Sequence, residues 1–482
     1  MRRLGSARIA LGLLGGLFLA ACGRGPSVPA APLAGFNLVL VNIDALRADH
    51  LGFEGYARQT SPFLDTLAAR GVVFDAAHAA SSYTRESVAS LLTGQLPSHG
   101  GAAGWNAAPA PDAPHLGEIL RAAGYRTGFF SNTVMLRNPG FTRGFDEVQH
   151  LPSSWNVSGE GPRLSERALR FARDNASRRF AMYLHYLDPH APYEPAPELV
   201  RRFTSAELPP NLDLYRDVEP NLSALRASGF GPGEARFEAM VLRYDAEIAG
   251  TDAAIAQLVG GLEALGLADR TLLVVTADHG EEFLEHGWVE HGWTLYEESL
   301  RVPLLFYAPR ALAPARVAAR VSALDVVPSL LGLLGIAAPS ARLDGAPLFS
   351  LDPGAATPEV GPRVQIAELL IPFRNPARAV TWGDAKYLAA QRWLAPEARY
   401  AADQAGASGA PPLDPAAPPS HEELYDLATD PGETRDQLAA APERGREGRE
   451  RLAASLGAAP APRQAPVVPP EELERLRALG YH

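Results

Sequence analysis

Three long apolar runs constrain this chain more than any other feature. Phe36–Ile43 reads FNLVLVNI, Phe180–Tyr186 reads FAMYLHY and Thr271–Thr276 reads TLLVVT. None alternates polar with apolar residues, as a strand with one wet face does. Continuous apolar strands belong to sheets covered on both sides. Helical patterns lie between them, at Thr60–Ala69, Pro114–Ala123, Leu164–Asn175 and Tyr244–Leu265. The last keeps Ile248, Ile255, Leu258, Leu262 and Leu265 on one face and stops at Gly266. Such a pattern predicts an α/β fold with a large mixed, mostly parallel sheet sandwiched by helices. The 482 residues leave room for one large domain of this kind and a smaller one.

Each apolar run is followed by residues that can do chemistry. Asp44 follows the first, Asp188-Pro189-His190 the second and Asp278-His279 the third. Open α/β sheets place their sites at the carboxyl ends of strands. Taken singly, these residues have plainer explanations: an Asp after a strand is commonly a turn residue, and a His there is commonly structural. A fourth stretch, Ser82–Gly94 (SYTRESVASLLTG), follows a strand-like run at Val72–Phe74. It enters a short apolar helix, Ser87–Leu92, stopped by Gly94 and Pro97. A hydroxyl residue at the start of such a helix lies at the positive end of its dipole, where anions are stabilised. The plain alternative is that Thr84 caps the helix.

These segments together resemble the sulfatase family of the alkaline phosphatase superfamily, and the resemblance covers nearly all of Phe36–His482. In that family a cysteine, later oxidised to formylglycine, opens a Cys-x-Pro-Ser-Arg pattern at a fixed distance before Leu-Leu-Thr-Gly. Counting back from Leu91-Leu92-Thr93-Gly94 puts Thr84 at the nucleophile position, with Glu86, Ser87 and Val88 where Pro, Ser and Arg stand. A frame starting at Ser81 breaks that spacing by three residues, nearly a helical turn. IDALRADHLGFEGY, from Ile43, resembles the opening metal-ligand segment, with Ala45 replacing the usual second acid. Asp49 has the wrong offset to replace it. Asp278-His279 resembles the second metal-ligand segment. His190, in Asp-Pro-His-x-Pro-Tyr, resembles the pocket histidine that faces the leaving group. His291 stands where many members carry a substrate-binding Lys. The family's Gly-Lys-Trp-His segment is replaced by Phe130-Ser131-Asn132-Thr133, so two cationic contacts to the sulfate group are missing.

The resemblance therefore implies an alkaline phosphatase/sulfatase-like fold and one divalent metal ion held by Asp44, Thr84, Asp278 and His279. Thr84, His190 and His291 become the expected catalytic residues, and Arg85, Asn132 and His291 the expected substrate contacts. Asp44, Asp278 and His279, with an open position beside Thr84 Oγ1, suit Zn²⁺ or Mn²⁺; the acid missing at position 45 is an oxygen ligand that a hard ion would want, and Ca²⁺ or Mg²⁺ are the alternatives. Thr84 cannot become formylglycine, whose hydrate releases sulfate by collapsing to the aldehyde. A phosphorylated threonine can instead be resolved by a second attack at phosphorus. The expected reaction is hydrolysis or transfer of a phosphate or phosphonate ester, with sulfate esters second. The expected substrate is a small anionic ester, a glycan or a lipid head group. Two alternatives are an arylsulfatase-like enzyme acting without formylglycine and a degenerate anion-binding lipoprotein.

The ends of the chain read differently. Arg2, Arg3 and Arg8 precede the apolar stretch Ile9–Leu19, and Leu19-Ala20-Ala21-Cys22 follows, containing the single cysteine. This pattern looks like a bacterial lipoprotein signal over 1–21, with lipid attached at Cys22 and a Pro/Ala/Gly tether over 22–35. It predicts an extracytoplasmic protein anchored to a membrane of the bacterial cell envelope, periplasmic or at the surface. The catalytic domain is expected over 36–355 and an α+β subdomain over 356–482. Strand-like runs at Val364–Leu370, Ala377–Trp382 and Ala385–Leu388 predict a small C-terminal antiparallel sheet. Glu194–Glu234 reads as an irregular insertion, and 401–420 as a low-complexity loop. With 44 Lys+Arg against 55 Asp+Glu, the net charge of −11 offers no footprint for nucleic acid.

Overall fold

The computed structural model describes residues 31–151, 159–212, 214–352, 355–398 and 418–456. Cys22, the leader, most of the tether and most of the 401–420 segment lie outside them. The three apolar runs form adjacent strands: β1 (Asn37–Ile43), β5 (Phe180–Tyr186) and β6 (Thr271–Ala277). Every residue in them is buried. Between them in sequence lie β2 (Val72–His78), β3 (Arg126–Ser131) and β4 (Glu147–His150). After a short hairpin of β7 (Glu282–Phe283) and β8 (Val289–Glu290) come β9 (Arg301–Val302), β10 (Leu304–Tyr307) and β11 (Ala315–Ser322).

The main sheet runs β11-β2-β10-β6-β1-β5-β3-β4, with β9 added on β2. Its centre and one flank are parallel, and β10 enters antiparallel between β6 and β2. Helices cover both faces. One apolar layer joins β1 and β5 to α4 (Gly161–Asp174) and α5 (Ala235–Ala264), and the other joins the opposite sheet face to α2 (Thr84–Thr93), α3 (Leu116–Ala122) and α6 (Val326–Leu334). α1 (Pro62–Ala68) packs on α5, with the Asp252 carboxylate accepting from Phe63 N and Leu64 N.

All ten residues of α2 are buried. Val88, Leu91 and Leu92 fill the second layer, each worth about 2 kcal/mol in apolar burial. Gly94 ends the helix at φ +67°, a conformation that favours glycine.

A separate antiparallel sheet pairs β12 (Gln365–Leu369), β13 (Ala377–Trp382), β14 (Ala385–Ala390) and β15 (His421–Asp426) in that order. It docks on the main domain through an apolar cluster, in which Ile366, Val380 and Leu424 meet Leu96 and Leu324, and through polar groups. Glu368 N donates to Ala80 O at 2.9 Å, and buried Lys386 reaches Glu297 and Glu433, each at 2.9 Å.

Two expectations change here. The end of the tether is not a free spacer: Leu33 is buried and its N–H donates to Leu333 O at 3.0 Å, because its apolar side chain joins the core. The 194–234 segment contains short helices at Pro197–Val200 and Leu222–Ala227, where buried Val218, Leu222 and Phe230 pin it down.

Candidate active site

Strand register assembles the centre. Ile43 lies opposite Tyr186 on one side and Ala277 on the other, so Asp44 and Asp278 leave the sheet side by side. Asp44 N is held by Tyr186 O at 2.8 Å. The next residue, Ala45, adopts φ 56°, which costs an L-residue about 1 kcal/mol. Its N–H thereby reaches Asp278 Oδ1 at 3.3 Å, and its carbonyl accepts from Tyr244 OH at 2.7 Å. Where a second acid was missed in the sequence, a strained backbone supplies a donor.

Thr84 is the first helical residue of α2, with Tyr83 before it in extended conformation. Its side chain makes no cap; Oγ1 lies 3.1 Å from His279 Nε2. Ser87 on the next turn donates to Asp278 O at 2.5 Å, fixing the helix against the β6 end. His279 Nδ1 donates to Gly280 O at 2.9 Å, which leaves the Nε2 lone pair facing Thr84. The same Nε2 lies 3.6 Å from Asp44 Oδ1 and 3.7 Å from Asp278 Oδ2. Ser81, the alternative nucleophile, donates instead to Glu86 at 2.9 Å.

The electrostatics of this centre call for a cation. Asp44 Oδ1 and Asp278 Oδ2 are buried and have no hydrogen-bond partner among the described residues. Burial opposes the Asp44 charge, yet the imidazoles of His190, His185 and His279 hold its pKa below the usual range. Asp278 is driven well above that range by burial and then by the Asp44 charge. Two buried carboxylates side by side cannot both ionise cheaply unless a cation sits between them. Asp44, His185 and Asp278 each offer a ligand atom within 4.8 Å of the others. The donor set of carboxylates and imidazole, with two orphaned oxygens, fits one divalent ion.

Two further histidines close over the centre. His291 stacks on His279 with centroids 4.1 Å apart, and His190 meets His291 edge-on at 4.9 Å. His190 Nδ1 donates to Ala191 O at 2.6 Å, a tautomer in which Nε2 is the basic atom of the neutral ring. Burial lowers the pKa of both rings; for His291 the charges of His279, His190 and Arg374 add to it. Glu281 Oε1, 3.0 Å from His291 Nδ1, pulls the other way. Burial, the largest cause, decides the direction.

The expected substrate contacts are placed less uniformly. Asn132 follows β3, accepts from Leu187 N at 2.8 Å and leaves its buried Nδ2 without a partner among the described residues. Arg85 turns Nη1 to Asn106 at 3.3 Å, and its Nε is likewise unpartnered. Unpaired buried donors are what an anionic ligand satisfies. Asp49 pairs with Arg47 at 2.8 Å, away from the carboxylate pair.

Sequence reasoning missed two residues here. His185, inside β5, lies 3.0 Å from Asp44 Oδ2; its one signal was a titratable residue in an otherwise apolar strand. Arg374, from the C-terminal subdomain, donates to His291 O at 3.0 Å and Gly292 O at 3.2 Å. No local motif marks it.

The profile of the Sulfatase family matches residues 36–336. Human arylsulfatase A is 27% identical over 376 residues, spanning 66% of this chain and 67% of that protein. The ulvan-active sulfatase of Formosa agariphila is 27% identical over 347 residues, spanning 65% of this chain and 64% of that protein. The chain thus spans about two thirds of the length of these curated relatives. Among solved structures, the phosphonate monoester hydrolase of Agrobacterium radiobacter shares the fold with TM-score 0.67 at 21% identity, covering 87% of this chain and 95% of that one. A second, solved with its substrate D-glucosamine-2-N,6-O-disulfate, has TM-score 0.68 at 20% identity, covering 88% and 97%.

Proposed function

The chain belongs to the sulfatase family of ester hydrolases, and from that premise we propose that it cleaves or transfers a phosphorus ester through Thr84. The observation that carries this reading is the 3.1 Å approach of Thr84 Oγ1 to His279 Nε2, beside two unpartnered carboxylate oxygens. A hydroxyl that merely capped the helix would point to a backbone N–H instead. The side chain also excludes the aldehyde route by which formylglycine sheds sulfate. A phosphonate monoester hydrolase with the same fold supports phosphorus as the centre attacked. The substrate we propose is a small phosphate or phosphonate ester, from a glycan or a lipid head group. We also propose that Cys22 carries a lipid that keeps the domain at the cell envelope.

Asp44, Asp278 and His279 would hold a divalent ion, which supplies charge that lowers the pKa of an adjoining hydroxyl. Thr84, having lost its hydroxyl proton to solvent, would attack phosphorus through Oγ1 as the bond from phosphorus to the ester oxygen breaks, leaving a phosphorylated Thr84 that regains the proton when its own P–O bond is later broken. Water or an acceptor alcohol then attacks the same phosphorus and releases the threonine. His190 exchanges protons only at Nε2. Protonated there, it gives a proton to the leaving oxygen; neutral, it takes one from the incoming nucleophile. His291 lies between His190 and His279 and contacts the transferred group. Asn132 Nδ2 and Arg85 Nε are donors for its oxygens.

The test is metal-dependent cleavage of matched aryl phosphate, phosphodiester, phosphonate and sulfate esters by the wild type and Thr84→Ala. Cleavage of a phosphorus ester by the wild type alone, with metal content equal in both, is the expected result. Equal activity in Thr84→Ala would refute the threonine. Cleavage of only the sulfate ester would favour the second reading, which the curated sulfatase relatives support. Neither turnover nor bound metal would leave an anion-binding protein.

A further inference from the structure

His185 lies close enough to Asp44 and Asp278 to be taken for a metal ligand. Its hydrogen bonds argue otherwise. Nδ1 faces Asn42 Nδ2 and Tyr183 OH, each at 3.1 Å, and both can donate to it. The neutral ring therefore carries its proton on Nε2, which lies 3.0 Å from Asp44 Oδ2, an oxygen that accepts. An N–H has no lone pair for a metal. The atoms left over converge elsewhere: orphaned Asp44 Oδ1 and Asp278 Oδ2 both approach His279 Nε2, at 3.6 and 3.7 Å.

We propose that His185 is a positioning residue that donates Nε2–H to Asp44 Oδ2 and so aims Asp44 Oδ1 at the cation. This rests on the reading of Asp44, Asp278 and His279 as a metal centre. The strands pre-set it. Asn42 and His185 are register partners on β1 and β5, and Tyr183 lies two residues before His185 on the same sheet face. A carboxylate held by one oxygen keeps the other in a single direction, so the binding entropy is reduced before the ion arrives. Asp278 is held in the same manner, with Oδ1 taking Ala45 N and His279 N while Oδ2 remains open. Both acids thus present one anchored and one open oxygen.

The experiment is titration of the metal-free protein with Co²⁺ alone, followed by visible absorption, for the wild type, His185→Gln and His185→Leu. Gln keeps an N–H donor on a side chain of similar reach; Leu keeps bulk but no donor. Expected are one Co²⁺ per chain in all three and unchanged band positions. Affinity in His185→Gln should stay within about threefold of wild type, whereas His185→Leu should bind about 10–100-fold more weakly, as for other residues that orient metal ligands. Shifted bands in His185→Gln would mean that an imidazole had left the coordination sphere, and would overturn the proposal. So would equal affinity in His185→Leu. Should His185→Leu fail to fold, the His185→Gln bands still decide. Failure of the wild type itself to bind Co²⁺ would instead refute the metal centre, and this inference with it.

Discussion

Replacing Glu86 by Gln tests how α2, the helix that begins at Thr84, is held, and its magnitude follows from the structure. Glu86 is buried in the first turn of α2, where its carboxyl accepts from Ser81 OH at 2.9 Å, Gly104 N at 2.8 Å and Leu370 N at 3.2 Å. It joins three segments: α2, the following loop and the C-terminal subdomain. None of the three donors carries charge. Burial therefore dominates, and the pKa is pushed from 4.5 up to about 7. In the unfolded chain the carboxyl ionises near its ordinary value. Below pH ~4.5 both states are protonated, and the full stability is present. As pH rises toward about 7 the unfolded state gains from ionisation while the folded state does not, so stability is lost. A displacement from 4.5 to about 7 corresponds to about 3 kcal/mol. Glutamine mimics the protonated acid, with its amide N–H₂ facing Ser81 Oγ. Urea unfolding of wild type and Glu86→Gln at pH 4.5 to 8 should give equal stability at the acid end. By pH 8 the variant should be more stable by up to about 3 kcal/mol. Parallel curves across that range would show that the carboxyl titrates normally and refute the argument.

Two further outcomes follow from the same geometry. Lys386→Met should lower stability by about 3–5 kcal/mol in denaturant titration, because it leaves Glu297 and Glu433 buried without their shared cation. For His190, burial lowers the pKa, so the protonated acid is depleted as pH rises through and above that lowered value. With alkyl esters, kcat/KM should fall with rising pH across that window. With a 4-nitrophenyl ester, whose leaving group needs no proton, it should not, and His190→Gln should harm the alkyl ester far more than the nitrophenyl one.

The large α/β domain was legible in the sequence because burial on both faces leaves an unbroken apolar run, and three such runs became β1, β5 and β6. The same runs located Asp44, His190, Asp278 and His279, since strands of a parallel sheet deliver their following residues to one edge. Spacing to Leu91-Leu92-Thr93-Gly94 singled out Thr84, and its hydroxyl does lie by His279. Register and side-chain direction were not legible. Asn42 opposite His185 and Ile43 opposite Ala277 are pairings between segments more than a hundred residues apart, and no local pattern encodes them. Those pairings decide that His185 reaches Asp44, that strained Ala45 N–H supports Asp278, and that Arg374 arrives from another sheet to hold the His291 turn. Sequence determined which residues are chemically able. Tertiary structure decided which of their atoms are already committed to hydrogen bonds and which remain open, because only strands brought side by side let one residue satisfy another.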